Sequence, residues 1–513
     1  MKYNNDMKTK KLLLIIGILA LLFNSCESPT SSRPTYQGPG GGRENGKFYA
    51  QDITTGTYYS LYAEKFFEKE DGKCVVWAER GSGITEADAE EVAKAYVQIC
   101  NKLIPVFSDT YSHEGESLNI MEMADLYGNK DKKLCILLLK IRDGFTDSGS
   151  FVAGYFSALD FFAYDPGDYY TWFSNECDML YIDVKVNKPN NPLSGELFRN
   201  IAHEMQHLMN FVTSLEKRSV IINKEIVKIN QMDLWIDEGL SGAAEYVYAG
   251  HSMNRINWYN ANGEGLMKGL IDRGNNFFVW GNRENENPYA VLDDYATVYL
   301  FFQWLRLQAG STDIYKTIIS SGSCNYKAVT TAACNKIGSK YDNNWPLLLR
   351  DWLAANYINA ASGAFGYMGD DKLKTIKTHN APPPNTSISL APGEGVYSKT
   401  NSQPALSGQG INIKNAYLDK SSQAVHDSTF YWGVALLTYN SNSDIGGLRE
   451  NGVTTGIASM DIVSDRLLQL PAESSGPQPI SAGDMLRRNG HKGLSRIPRS
   501  GFPKFSSGMT NNE

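Results

Sequence analysis

Apolar residues recur at three- and four-residue spacing from Phe198 to Phe211, through Ile201, Ala202, Met205, Leu208 and Met209. That period predicts a helix over 197–211, and neither Gly nor Pro interrupts it. Upstream the pattern is different. Cys74–Ala78, Cys135–Ile141 and Met179–Val184 are short apolar runs bounded by turn residues, which predict strands. Gly154–Phe162 reads as extended or mixed, and Gly56–Tyr59 as a further strand. Between them Thr85 caps a predicted helix with Glu86, Asp88 and Glu90 in its first turns. Its apolar positions Val92, Ala95, Tyr96 and Ile99 keep helical period, and Pro105 is expected to end it. Downstream, helices are expected over 294–308, 313–319 and 345–358, and a long loop over 255–292. After Pro382-Pro383-Pro384 the runs turn strand-like, at Ser387–Leu390, Ile411–Ile413, Phe430–Tyr439 and Leu467–Leu470. The fold class is therefore α+β: a sheet, then a helical lobe over residues 48–380, then a β-rich accessory domain over 386–480.

Composition adds an address. Lys8, Lys10 and Lys11 precede the apolar run Leu12–Phe23, which is too short to span a bilayer and fits the core of a signal peptide over residues 1–25. Leu22-Phe23-Asn24-Ser25-Cys26 resembles the lipobox of bacterial lipoproteins, which implies an acyl anchor on Cys26 and an exported chain on the cell envelope. An ordinary secretory signal is the alternative. Residues 26–47 are rich in Ser, Pro and Gly and read as a flexible tether, and 481–513 as a disordered tail. The formal net charge of -7 comes with no basic block, so nothing marks a nucleic-acid partner. Cys74, Cys100, Cys135, Cys177, Cys324 and Cys334 are an even set that permits disulfides in an exported chain. Cys324 with Cys334 is the expected pair, and free buried thiols are the alternative.

Two of the seven histidines, His203 and His207, stand one turn apart on the predicted helix, with Glu204 beside the first. This is the His-Glu-x-x-His arrangement that suits zinc: two imidazoles on one helix face and a carboxylate next to them. Two half-buried helix histidines with no ligand role are the plain alternative. Zinc needs a third protein ligand and an open position. Downstream, Trp235-Ile236-Asp237-Glu238-Gly239-Leu240-Ser241-Gly242-Ala243-Ala244-Glu245 supplies Glu238 as the third ligand, among small residues that allow close helix packing. Glu245 is the rival ligand; a supporting hydrogen bond to a ligand imidazole suits it better, and Asp237 has the same prospect.

Joined together, these segments resemble the gluzincin clan of zinc peptidases, and most closely the hyicolysin family of neutral metallopeptidases. The resemblance runs over about residues 130–360 and takes in Gly154-Tyr155-Phe156 with Leu159-Asp160, Met179–Asp183 and Asp294-Tyr295-Ala296-Thr297. It implies a zincin-like fold, Zn2+ as cofactor and a protein or peptide as substrate. It makes His203, His207 and Glu238 the metal ligands, Glu204 the general base and Tyr295 the oxyanion donor, with Tyr299 and His251 as competing donors. The gap from His207 to Glu238 is longer than in better-known relatives, and residues 213–232 are expected to fill it as a loop or helical excursion. Tyr155–Leu159 is the expected free sheet edge where a substrate backbone pairs. Aminopeptidases of the clan carry a Gly-x-Met-Glu-Asn motif; Asn119–Met123 shares only its Met-Glu pair, which favours an endopeptidase. A non-catalytic envelope-binding protein on a peptidase-like fold is the other reading.

Overall fold

The computed structural model describes residues 463–465 and most of residues 45–439; the exceptions in that stretch are 69–71, 114, 129–132, 146–151, 163–171, 186–192, 194, 223–224, 262–268, 275–277, 279–282, 284–285, 288, 383–386, 391–393, 400–404, 408–412, 421 and 427–433. The expected signal peptide, Cys26, all but the end of the tether, and the tail over 481–513 lie outside the described residues.

The chain begins with β1 (Lys47–Gln51), β2 (Tyr58–Glu68) and β3 (Cys74–Glu79), joined antiparallel in that order. Helix α1 (Glu86–Phe107) follows. Thr85 starts it with a reciprocal cap: its side chain accepts from Asp88 N–H, and Asp88 accepts from Thr85 N–H at 2.7 Å. Pro105 does not end this helix but sits inside its last turn. A proline there removes only one backbone bond near a frayed end, and Ser108 N–H closes the helix on Ile104 O at 2.9 Å. A small hairpin, β4 (Tyr111–His113) and β5 (Glu116–Leu118), leads to α2 (Ile120–Gly128).

Next come β6 (Leu134–Leu139), β7 (Gly154–Ser157), a 3-10 turn over Ala158–Phe161, and β8 (Met179–Asp183). β6 lies parallel to both β3 and β8, and β7 runs antiparallel to β8. Every residue of β6 is buried, because apolar groups cover both faces of the sheet. Leu134, Ile136 and Leu138 enter the main core below the helices, while Cys135, Leu137 and Leu139 join a second cluster with Phe48, Tyr155, Met179 and Tyr181.

Helix α3 (Gly195–Arg218) packs across β7 and β8 and carries His203 and His207. It outruns the expected boundary. The rest of the His207–Glu238 gap is neither loop nor helix but a hairpin, β9 (Ser219–Ile222) and β10 (Glu225–Ile229). The β-branched run Val220-Ile221-Ile222 favours an extended backbone over helix continuation. α4 (Leu234–Ala249) then crosses α3 and packs on α6. Between them α5 (Met253–Ala261) occupies part of the stretch expected to be loop, and α6 spans Val291–Ala309. Gly239 makes the α4–α6 approach possible: a methyl group there would stand 2.3 Å from the Phe302 ring. α7 (Asp313–Ile319), α8 (Tyr326–Lys336) and α9 (Trp345–Ile358) complete the lobe.

None of the six cysteines among the described residues forms a disulfide. The expected Cys324–Cys334 bridge fails on geometry. Their connecting segment is α8, not a loop, and a helix at about 1.5 Å per residue carries its ends too far apart for a disulfide, which needs Cα atoms within about 7 Å. Burial pushes the Cys74 thiol up to about 12 and Cys100 up to about 11, which keeps both protonated and unreactive.

Beyond the lobe lie β11 (Ser387–Ser389), β12 (Gly395–Lys399), β13 (Ala405–Ser407), β14 (Ile413–Asp419), β15 (Ala424–His426), β16 (Val434–Tyr439) and β17 (Val463–Asp465). Four of them form a sheet in the order β12-β16-β14-β15. That sheet is fastened to the helical lobe. Tyr397 O–H donates to Leu353 O at 2.8 Å, and the buried Arg283 donates through both terminal nitrogens to the buried Glu394, Nη2 at 2.7 Å. β17 does not join this sheet. It pairs antiparallel with β7, so the expected free edge at Tyr155–Leu159 carries a strand of the chain itself, and Ala158–Phe161 coils away as a 3-10 turn. An exposed strand edge with unpaired backbone groups accepts such a partner readily.

Candidate metal centre

The site is built where α3, α4 and β7 meet. His203 and His207 lie one turn apart with ring centroids 5.0 Å from each other, and both rings are buried. α4 brings Glu238 against them. Its Oε2 is 3.3 Å from His203 Nε2 and 3.6 Å from His207 Nε2. The three residues form a buried group whose ligand atoms all lie within 4.8 Å of one another.

What holds the rings is as informative as where they point. His203 Nδ1–H donates to Glu245 Oε1 at 2.7 Å, and His207 Nδ1–H donates to Asp237 Oδ2 at 2.8 Å. An ionised carboxylate only accepts, so each imidazole carries a proton on Nδ1, and a neutral ring then presents an Nε2 lone pair. With both rings neutral, two Nε2 lone pairs and a carboxylate oxygen converge on one point. His207 Nε2 is buried and makes no hydrogen bond. Such a cluster is balanced by positive charge, either a proton on a ring or a metal ion that replaces it. The spacing suits zinc: bonds of about 2.0–2.2 Å in a tetrahedron place ligand atoms about 3.3–3.6 Å apart. The donor set therefore fits the ion. Burial disfavours a charged His207 ring, yet Asp237 and Glu238 outweigh it and hold the ring well above its ordinary pKa. The same two carboxylates attract a metal cation.

The supports are themselves supported. Asn210 donates through Nδ2 to Asp237 Oδ1 and accepts at Oδ1 from Arg218 Nη2 at 3.0 Å. Arg218 is buried and ties the end of α3 to Ile319 O and Ser321 O at 2.8 and 2.9 Å. Ser241 Oγ lies 3.2 Å from His207 Nδ1 and donates to Gln206 Oε1 at 2.6 Å. On the other ring, Arg255 Nη2 donates to Glu245 Oε1 at 2.6 Å. Burial raises the Glu245 carboxyl; the Arg255 charge and the His203 hydrogen bond outweigh burial and hold it below its ordinary value.

Glu204 is buried on α3 beside the first ligand candidate. It packs against the backbone of β7 at Gly154. A methyl group at Gly154 would stand 3.2 Å from Glu204 Cγ, 3.3 Å from its Oε1 and 2.9 Å from Tyr181 O. Only glycine leaves that space. Gly154→Ala is expected to destabilise the fold by about 1–3 kcal/mol, as overpacking does, because the Tyr181 carbonyl is backbone and cannot swing aside. Urea unfolding of the two proteins measures it. The neighbouring turn is fixed by Asp160, which accepts from Asn175 N–H at 2.7 Å and from Tyr181 O–H at 2.7 Å, while the Tyr155 and Tyr181 rings stack at 4.2 Å.

Tyr295, on the second turn of α6, donates to Glu238 Oε1 at 3.4 Å and so lies beside the group. The competing donors are brought together elsewhere. Tyr299 accepts from Ser252 N–H at 2.9 Å and lies 3.3 Å from His251 Nδ1, and His251 Nε2 meets Asp370 Oδ2 at 3.0 Å. Those three fasten the turn after α4 to the 367–375 segment. Glu122, the nearest match to an amine-binding acid, accepts from Asn119 N–H at 2.8 Å and caps α2. Arg218 and Arg255 carry no sequence signal of a site. Each is a lone basic residue within an unremarkable stretch, and only the fold brings it behind one of the two histidines.

No protein-family model matches the chain. It is similar to the neutral metalloprotease ShpI of Staphylococcus hyicus, with 27% identity over 331 residues, which is 62% of this chain and 64% of that protein. The chain thus spans under two thirds of that relative's length. A mixed α+β fold with a buried His–His–Glu group fits a zincin-like metallopeptidase, and the likeness is to a protein named a neutral metalloprotease.

Proposed function

We propose that the chain is a zinc-dependent endopeptidase, with His203, His207 and Glu238 as ligands and Glu204 as general base. One observation carries the reading: two imidazoles, each held at Nδ1 by a carboxylate, aim their Nε2 atoms at the Glu238 carboxylate, with Glu204 on the same helix. The similarity to a neutral metalloprotease supports it.

A bound zinc ion supplies Lewis-acid chemistry, polarising a carbonyl and acidifying water. The chain does the rest. Glu204 takes a proton from the attacking water as the C–O bond forms, then delivers it to the departing amine as the C–N bond breaks. Its side chain lies against β7 at Gly154, where the absence of a Cβ leaves it room. Asp237 and Glu245 keep the two rings from rotating. Tyr295 O–H donates a hydrogen bond to the oxyanion of the tetrahedral intermediate. Tyr295→Phe is expected to lower kcat by about 10²–10³, the range for loss of one oxyanion donor, with zinc stoichiometry unchanged. Steady-state kinetics beside elemental analysis reads both.

The leader at Lys8–Phe23 and Cys26 support export with a lipid on Cys26. The mature protein should then show a lipid-sized mass increment that globomycin prevents. The reaction itself is tested by casein hydrolysis. Activity should vanish with a chelator and return with stoichiometric zinc. Cleavage that persists after the metal has been stripped would overturn the reading.

A further inference from the structure

Arg255 lies on α5, outside every segment that carries the proposed chemistry, yet its side chain is among the largest that are fully buried. A buried guanidinium must be matched by strong partners or it destabilises the fold. Two partners are specific. Nη2 donates to Glu245 Oε1 at 2.6 Å, the same oxygen that accepts from His203 Nδ1–H at 2.7 Å. The guanidinium carbon lies 5.0 Å from the centroid of the Tyr295 ring, the distance of a cation resting against an aromatic face. Tyr295 in turn reaches Glu238 Oε1 at 3.4 Å. One planar cation therefore touches the support of the first ligand and the ring that reaches the third.

We propose that Arg255 is a positioning residue that sets two parts of the metal centre at once: it pins the Glu245 carboxylate onto His203, and its flat face holds Tyr295 with the hydroxyl beside Glu238. This rests on the metal reading above. The two duties call on different properties of the side chain. Pinning Glu245 needs a positive charge. Seating the tyrosine ring needs the planar, weakly hydrated guanidinium, which a lysine ammonium does not reproduce.

The test uses the full chain stripped of metal, with zinc affinity read by competition against a chromophoric chelator, and kcat and KM measured on a peptide. Arg255→Gln should weaken zinc binding by about 10–100-fold, the usual effect of removing a partner behind a ligand. In a Glu245→Ala background the same change should cost less than about threefold, because the carboxylate it pins is gone. Arg255→Lys should keep zinc within about threefold of the unmodified chain but lower kcat at least about tenfold, with KM little changed. A folded Arg255→Gln protein that binds zinc as tightly as the parent would overturn the proposal. So would an equal loss with and without Glu245. If Arg255→Gln does not fold, Arg255→Lys decides: unchanged zinc affinity with unchanged kcat would overturn it. Zinc affinity needs no peptide, so a chain that binds zinc but cleaves nothing would defeat the peptidase reading and leave this measurement intact.

Discussion

Glu204→Gln should bind one zinc per chain with nearly unchanged affinity and hydrolyse peptide about 10²–10⁴-fold more slowly. The substitution is close to isosteric, so the packing against Gly154 survives. Glutamine keeps a carbonyl oxygen but has no basic carboxylate, and cannot take the proton that the attacking water must lose. The size of the loss is that of a missing general base. Metal retention matters as much as lost rate. Glu204 is not among the three residues that form the buried ligand group, so loss of zinc along with the rate would make it a ligand rather than a base. A variant that kept full activity would remove Glu204 from the mechanism.

The second large effect separates the two glutamates of α4. Glu238→Ala removes one of the three proposed ligand atoms and should leave no stoichiometric zinc after dialysis at neutral pH. Glu245→Ala should keep zinc, with affinity lower by about 10–100-fold. The reason is geometry. Glu238 Oε2 faces both Nε2 atoms at 3.3 and 3.6 Å, whereas Glu245 meets His203 at Nδ1, on the far side of the ring. Elemental analysis of the two dialysed proteins reads the difference. Retention by Glu238→Ala with loss by Glu245→Ala would exchange their roles.

Much of the frame can be read along the chain because local pattern and tertiary demand agree there. The apolar spacing of α3, the reciprocal cap at Thr85 and Asp88, and the all-apolar β6 each have one good solution. His203, Glu204 and His207 are legible for the same reason: helix geometry alone puts them on adjoining positions. Other features depend on what lies across space. Nothing near Pro105 says that α1 has two residues left to run. The hairpin of β9 and β10 sits inside a gap whose ends alone carry motifs. Cys324 and Cys334 are pairable only if the residues between them form a loop, and they form a helix. Arg255 is the clearest case. Its neighbours in sequence are ordinary, and its importance arises because α5 turns it inward onto Glu245 and Tyr295. A lone buried arginine has no sequence period to announce it.

The most direct measurement is anomalous diffraction at the zinc edge from crystals of the zinc-loaded chain. The expected result is one strong peak about 2.0–2.2 Å from His203 Nε2, His207 Nε2 and a Glu238 carboxylate oxygen. A peak away from these three side chains, or none in crystals of protein that carries stoichiometric zinc, would contradict the metal centre and the chemistry built on it.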